Sequence, residues 1–216
     1  MDKEKIINKL QFLENPNNIA GMARFGISSY KTLGVPTPIL RKMAKEIGKN
    51  HSLDEGLWET GIHEAKLLAA FIDTPEMVTE KQMEEWAKDF DSWDIVDQVC
   101  GNLFCRTEHA YKKAFEWSKR EEEYVKRAGF VLMATLAVHD KKATDDKFFQ
   151  FFPIIIREVR DERNYVKKAV NWALRQIGKR NQALRKEAIK TGKKILEIDN
   201  TTARWIASDA LRELEK

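Results

Sequence analysis

Apolar residues recur three and four positions apart along most of the chain, the spacing that lines one face of an α-helix. No segment sustains the two-residue alternation of a half-buried strand, although Phe148-Phe149-Gln150-Phe151-Phe152 is apolar enough to fit either state for a few residues. Punctuation is sparse, with ten Gly and five Pro. The clearest break is Leu33-Gly34-Val35-Pro36-Thr37-Pro38. After it Thr37 is expected to cap a helix with Pro38 at its first position, Ile39, Leu40, Met43 and Ile47 along its face, and Gly48 at its end. The pattern predicts an all-α protein.

A weak internal repeat runs beneath the helices. Val96-Asp97-Gln98-Val99, Val125-Lys126-Arg127-Ala128 and Val166-Lys167-Lys168-Ala169 each place a branched apolar residue, two polar residues and a small or apolar one near a helix start. His63-Glu64-Ala65-Lys66-Leu67-Leu68-Ala69 and Ala203-Arg204-Trp205-Ile206-Ala207 read as degenerate members. A spacing of about 30 to 40 residues is that of helix-pair repeats such as HEAT or armadillo. The expected fold is a curved α-solenoid of HEAT-like helix pairs, a single domain over residues 1–216, with one helix of each pair lining a concave face. In that register Asp97 aligns with Lys126 and Lys167, and Gln98 with Arg127 and Lys168. One acid stands in a row of bases.

Charge sharpens this picture. The net charge is only +4, but residues 157–216 hold 16 Lys and Arg against 9 Asp and Glu, a balance of +7 that leaves −3 for residues 1–156. The basic C-terminal third is a candidate anion-binding surface, although solvated helix faces also collect Lys and Arg. Met1-Asp2-Lys3-Glu4-Lys5 leads into no long apolar run, so neither a signal peptide nor a membrane span is expected and the cytoplasm is the expected compartment. Cys100 and Cys105, five apart on an expected helix, point to different sides and fit no common zinc pattern; they read as small buried hydrophobes.

Candidate chemistry is confined to a few positions. Asp91 or Ser92 is expected to cap a helix, and Asp94 in its first turn to complement the helix dipole. Asp97 lies deeper, beside Val96 and Val99, where a carboxylate needs a partner; Arg127 on the next inner helix could be that partner, and on the residues alone a plain salt bridge explains the pair better than a catalytic role does. Trp93 lies one turn before Asp97, and Lys168 and Trp172 repeat the spacing, so each indole shares a helix face with a charged residue. Trp58, Trp86, Trp117 and Trp205 lie among apolar neighbours and read as packing residues, which Trp93 and Trp172 could also be. His51, His63, His109 and His139 have no second ligand at useful spacing, and His63-Glu64 lacks the second His of a zinc-protease motif. A Gly-rich phosphate loop, a Rossmann fingerprint and a Ser or Cys nucleophile motif are all missing from the sequence.

Leu33-Gly34-Val35-Pro36 with Leu40-Arg41, then Trp93-Asp94-Ile95-Val96-Asp97, then Lys126-Arg127-Ala128, then Lys168-Ala169-Val170-Asn171-Trp172-Ala173-Leu174-Arg175 together resemble the DNA alkylation repair enzymes built of HEAT-like repeats. Each motif is weak alone; the four in order, from Gly34 to the C-terminus, are specific. The resemblance implies a glycosylase that removes cationic N3- or N7-alkylated purines from double-stranded DNA without flipping the base, the route most glycosylases take. It places Asp97 on the family's catalytic aspartate, Trp93 and Trp172 on two tryptophans that pack against the lesion deoxyribose, and Arg127 on a catalytic-site arginine. Lys126, Lys167, Lys168 and Arg175 are the expected DNA-binding cations.

The chemistry suits so spare a site. An alkylated purine already carries positive charge and departs as a neutral base, so what must be stabilised is the oxocarbenium-like sugar, which an ionised carboxylate near C1′ does electrostatically. No metal or organic cofactor is expected, and the protein is expected to act as a nucleoid-associated monomer. Two other readings stand beside this one: a DNA-binding protein, for branched or damaged DNA, that excises nothing, and a helical-repeat scaffold for another protein.

Overall fold

A computed structural model of the chain describes residues 2–216, among which every regular element is helical. The chain divides into two compact units, Met1–Thr107 and Glu108–Lys216. The first holds α1 (Lys3–Phe12), α2 (Pro16–Arg24), α3 (Thr37–Ile47), α4 (His51–Trp58), α5 (His63–Ile72), α6 (Glu80–Lys88) and α7 (Trp93–Asn102), with 3-10 turns at Pro75–Met77 and Phe104–Arg106. The second holds α8 (Ala110–Trp117), α9 (Glu123–His139), α10 (Asp145–Phe149), α11 (Phe151–Glu158), α12 (Asn164–Lys179), α13 (Gln182–Leu196) and α14 (Thr201–Leu214). The ambiguous phenylalanine run is helical, split between α10 and α11.

The repeat register survives as helix starts. α5, α7, α9, α12 and α14 begin at His63, Trp93, Glu123, Asn164 and Thr201. Within the first unit α5 packs on α3, α4 and α7; within the second α12 packs on α9, α13 and α14.

In the first unit α5 is the central helix and is buried along almost its whole length, including His63, Glu64 and Lys66. Its charges need partners there, since an unpaired buried charge is costly. Lys66 Nζ donates to the Asp89 carbonyl at 3.0 Å, and its ammonium lies 5.2 Å from the centre of the Trp58 ring. Glu64 accepts backbone N–H bonds from Leu33 (2.8 Å), Gly34 (2.6 Å) and Val35 (3.2 Å). That clamp fixes the segment entering α3. Gly34 is required in it: φ is +72°, and a Cβ would lie 2.4 Å from the Asn15 carbonyl oxygen. α3 itself starts at Thr37 without a side-chain cap, so the expected Thr37 capping bond is not made, whereas Gly48 ends the helix at positive φ as expected.

The core of the second unit is α9, buried from Val125 to Ala137. Gly129 lets α9 pass tight against the end of α8: a Cβ there would sit 2.5 Å from the Ser118 backbone nitrogen. α12 buries Val166, Ala169, Val170, Ala173, Leu174 and Ile177, the three- and four-residue spacing of one apolar stripe. Asn171 on that stripe is satisfied by donating to the Ile206 carbonyl at 3.0 Å.

Candidate nucleic-acid interface

In the first unit the candidate residues gather on the polar edge of α7. Ser92 is its N-cap residue but makes no side-chain capping bond, and Trp93 is the first helical residue. Trp93 is half-buried, and its Nε1 donates to the Phe25 carbonyl at 2.9 Å. Asp97 follows one turn later, also half-buried, on the same face. Asp94 does more than complement the dipole: its Oδ2 lies 2.9 Å from His63 Nε2 of α5. Burial opposes an imidazolium at His63, but the Asp94 carboxylate outweighs it and raises the His63 pKa. Burial likewise works against the Asp94 carboxylate, and His63 overcomes it, holding Asp94 below the usual range.

Arg41 of α3 completes this edge. Its guanidinium donates to Gln98 Oε1 and Asn102 Oδ1, both at 3.2 Å, and lies 4.6 Å from the centre of the Phe71 ring. Sequence spacing singled out neither the Arg41 brace nor the His63–Asp94 pair, since both join residues about 30 to 60 positions apart.

The first unit also brings His51 together with Asp54 and Asp73, although spacing offered no histidine a second ligand. His51 Nδ1 is 2.7 Å from Asp73 Oδ1 and 3.6 Å from Asp54 Oδ2. Gln82 Nε2 donates to Asp54 at 2.6 Å and to Asp73 at 2.8 Å, and the Thr74 N–H donates to Asp73 at 2.6 Å. Burial, and then the Asp73 carboxylate, push Asp54 up to about 7. The three donor atoms lie close enough to hold a cation. Their hydrogen bonds to Gln82 and Thr74 already satisfy much of the carboxylates' demand, so the group is complete as a buried polar network.

In the second unit the expected cations separate into two kinds. Lys126 is buried, 7% exposed, with Nζ 2.8 Å from Glu158 Oε2 and 3.4 Å from Asp161 Oδ2. Arg175 Nη1 is 2.6 Å from Glu213 Oε2 and its Nε is 4.0 Å from Asp209; Lys179 shares Glu213. The charges of Lys126 and Arg175 are thus both paired with carboxylates of the same unit. Lys168, in contrast, is exposed, and Lys167 is half-exposed with its ammonium 5.6 Å from the centre of the Trp205 ring.

Arg127 is 5% exposed, and its Nη1 donates to the Tyr165 carbonyl in the first turn of α12 at 2.7 Å. Trp172 is half-buried on α12, one turn after Lys168. The four candidate residues thus divide between the units, Trp93 and Asp97 in the first and Arg127 and Trp172 in the second. Trp58, Trp86 and Trp117 are buried as expected, but Trp205 is 42% exposed and is no core residue.

The model of the family described as DNA alkylation repair enzyme matches residues 6–214. The chain belongs to that family. A solved structure described as "A new family of proteins related to the HEAT-like repeat DNA glycosylases with affinity for branched DNA structures" is similar at TM-score 0.81, covering 98% of this chain and 95% of that one at 20% identity. At that identity the likeness establishes the fold, an all-helical assembly of HEAT-like repeats. Among curated proteins, Lin0241 of Listeria innocua serovar 6a, an uncharacterized protein, is 26% identical over 131 residues, 59% of this chain. The match spans 58% of that relative's length. No helix of the described residues of this DNA alkylation repair family member is long and apolar enough to cross a membrane.

Proposed function

We propose that this member of the DNA alkylation repair family is a DNA glycosylase that releases cationic N3- or N7-alkylated purines from double-stranded DNA. The observation that carries the reading is the pairing of Trp93 and Asp97 one turn apart on the polar edge of α7, the arrangement of an indole wall beside a carboxylate. In the reaction the C1′–N bond breaks with its electron pair passing to the departing base, which thereby loses its positive charge. Asp97 stabilises the cationic sugar left behind, water adds at C1′, and Asp97 takes the proton that water sheds. The electron-rich face of Trp93 adds attraction to the positively polarised sugar.

Two assignments shift with the geometry. Lys167 and Lys168 are the phosphate contacts in this reading, because among the described residues their ammonium groups are not tied to carboxylates. Arg127 is a positioning residue for the first turn of α12, the helix that carries Lys167 and Lys168, through the Tyr165 carbonyl.

A second reading is favoured by one finding, the affinity for branched DNA stated for the structural neighbour. In it the protein binds DNA and excises nothing. One experiment separates the two: free base released from duplex DNA carrying 7-methylguanine, wild type against Asp97→Asn. The glycosylase predicts release above the spontaneous rate, falling by about 10²- to 10³-fold in the variant. Release no faster than the spontaneous rate, with salt-sensitive binding that ignores Asp97→Asn, leaves the second reading standing. Absence of any DNA affinity at low salt removes both.

A further inference from the structure

Trp205 is the most exposed of the tryptophans. It lies in the second turn of α14, whose buried face is Ala203, Ile206, Ala207 and Ala210. Thr201, Arg204, Trp205, Ser208 and Arg212 make up the opposite, exposed face, so the indole stands among polar residues on the solvent side. Lys167, from the adjoining α12, is beside it, and exposed Lys168 follows in the same turn of α12.

We infer that Trp205, flanked by Lys167, is a stacking platform for an unpaired DNA base, with Lys167 taking the neighbouring phosphate. The inference rests on the DNA-binding reading and adds to it the class of DNA recognised: duplex that carries a single-stranded end or branch. An exposed indole offers a π-face that any base can stack on, and a basic side chain next to it tracks the backbone; together these are the parts of a single-strand binding surface. The charge accounting supports the choice of place. Arg175 and Lys179 farther along α12 are held by Glu213, and Lys126 by Glu158 and Asp161, whereas Lys167 is held only by a weak cation–π contact at 5.6 Å. A phosphate competes for it readily. Arg204, one residue before the indole, has Asp199 at 3.7 Å, but both side chains are open to solvent and the pair is correspondingly loose. A base inside a duplex hides its face in the stack, so this surface discriminates in favour of unpaired bases.

The test is affinity of the full chain for two DNA probes at one salt concentration, a blunt duplex and the same duplex with a short single-stranded overhang. Wild type is expected to prefer the overhang. Trp205→Ala is expected to weaken overhang binding by about 5- to 150-fold, the range of one base–aromatic stack, and to leave blunt-duplex binding within about twofold. Trp205→Phe keeps a π-face and is expected to restore most of the loss. Since Trp205 is exposed, unfolding is not expected; equal thermal unfolding of the variants checks this. Undiminished overhang binding by Trp205→Ala, or an equal loss on both probes, overturns the inference while leaving DNA binding intact. Failure of the wild type to bind either probe overturns the DNA-binding reading as well.

Discussion

Glu64→Gln tests whether the Leu33-Gly34-Val35 segment is held by a buried ionised carboxylate. Glu64 is fully buried; Oε1 accepts from Gly34 and Val35 and Oε2 from Leu33. In the amide the carbonyl oxygen keeps the first two bonds, but the NH₂ group then faces the Leu33 N–H, donor against donor. Flipping the amide is worse, because it sets two backbone donors against the NH₂. Weakening two charge-assisted bonds to neutral ones costs about 1 kcal/mol each, and stranding one buried N–H costs about 1–3 kcal/mol. Removing a buried charge returns part of this. A net loss of about 2–4 kcal/mol is expected, a large share of a typical stability of about 5–15 kcal/mol.

Urea unfolding followed by fluorescence reads the effect, with a lower midpoint at unchanged slope. Trp58, Trp86 and Trp93 report on the first unit, where the loss belongs, and Trp117, Trp172 and Trp205 on the second. Glu64→Ala should cost more, since it strands all three N–H groups and leaves a cavity. A Glu64→Gln protein within about 0.5 kcal/mol of wild type, a change typical of surface sites, would refute the clamp.

Gly129→Ala should destabilise by about 1–3 kcal/mol despite alanine's better helix propensity, because the new methyl meets the Ser118 backbone at 2.5 Å; thermal unfolding reads it. Lys126→Met should lower stability by about 2–4 kcal/mol, less than for a lone buried pair because Arg157 and Arg163 remain beside Glu158 and Asp161, and should leave the salt slope of DNA binding unchanged. Lys168→Gln should do the reverse, keeping stability and reducing that slope by about 1. Asp54, raised to about 7 by burial and by Asp73, holds a proton that the unfolded chain sheds near its ordinary 3.8. The wild type therefore loses stability as pH rises between those values, and Asp54→Asn should gain on it across that window and stay level above it; a constant difference from pH 4 to 8 would count against the assignment.

The helices were legible because burial on one side imposes a three- and four-residue spacing that needs no knowledge of the partner. The repeat register was legible too, since α7, α9 and α12 all begin just before the polar pairs that mark it. What the register could not carry was the fate of each charge. Lys126 and Lys167 are equivalent by position, yet Glu158 and Asp161, at the end of α11 and just after it, return over Lys126 alone. Such returns join residues about 30 to 40 apart, beyond any helical spacing. Trp205 is a different lapse: its neighbours Ile206 and Ala207 suggested a core, but Thr201, Arg204, Ser208 and Arg212 recur at helical spacing and mark the polar face on which it lies. Periodicity, applied instead of local composition, identifies it as exposed.

Electrostatic catalysis by a single carboxylate depends on where that carboxylate is held, because a group that must reorient during the reaction gives back much of what its charge supplies. In the proposed reaction α7 meets this demand through the residues on either side of Asp97. Trp93 is tied to the carbonyl of Phe25 at the end of α2, Asp94 to His63 of α5, and Gln98 and Asn102 to Arg41 of α3. Three separate elements therefore grip the polar edge of one short helix, before and after the acid. The Leu33–Val35 clamp fixes the entry to α3 and hence the Arg41 brace, so the buried Glu64 and the exposed edge of α7 belong to one chain of support. This is why a stability defect at Glu64 should reach Asp97.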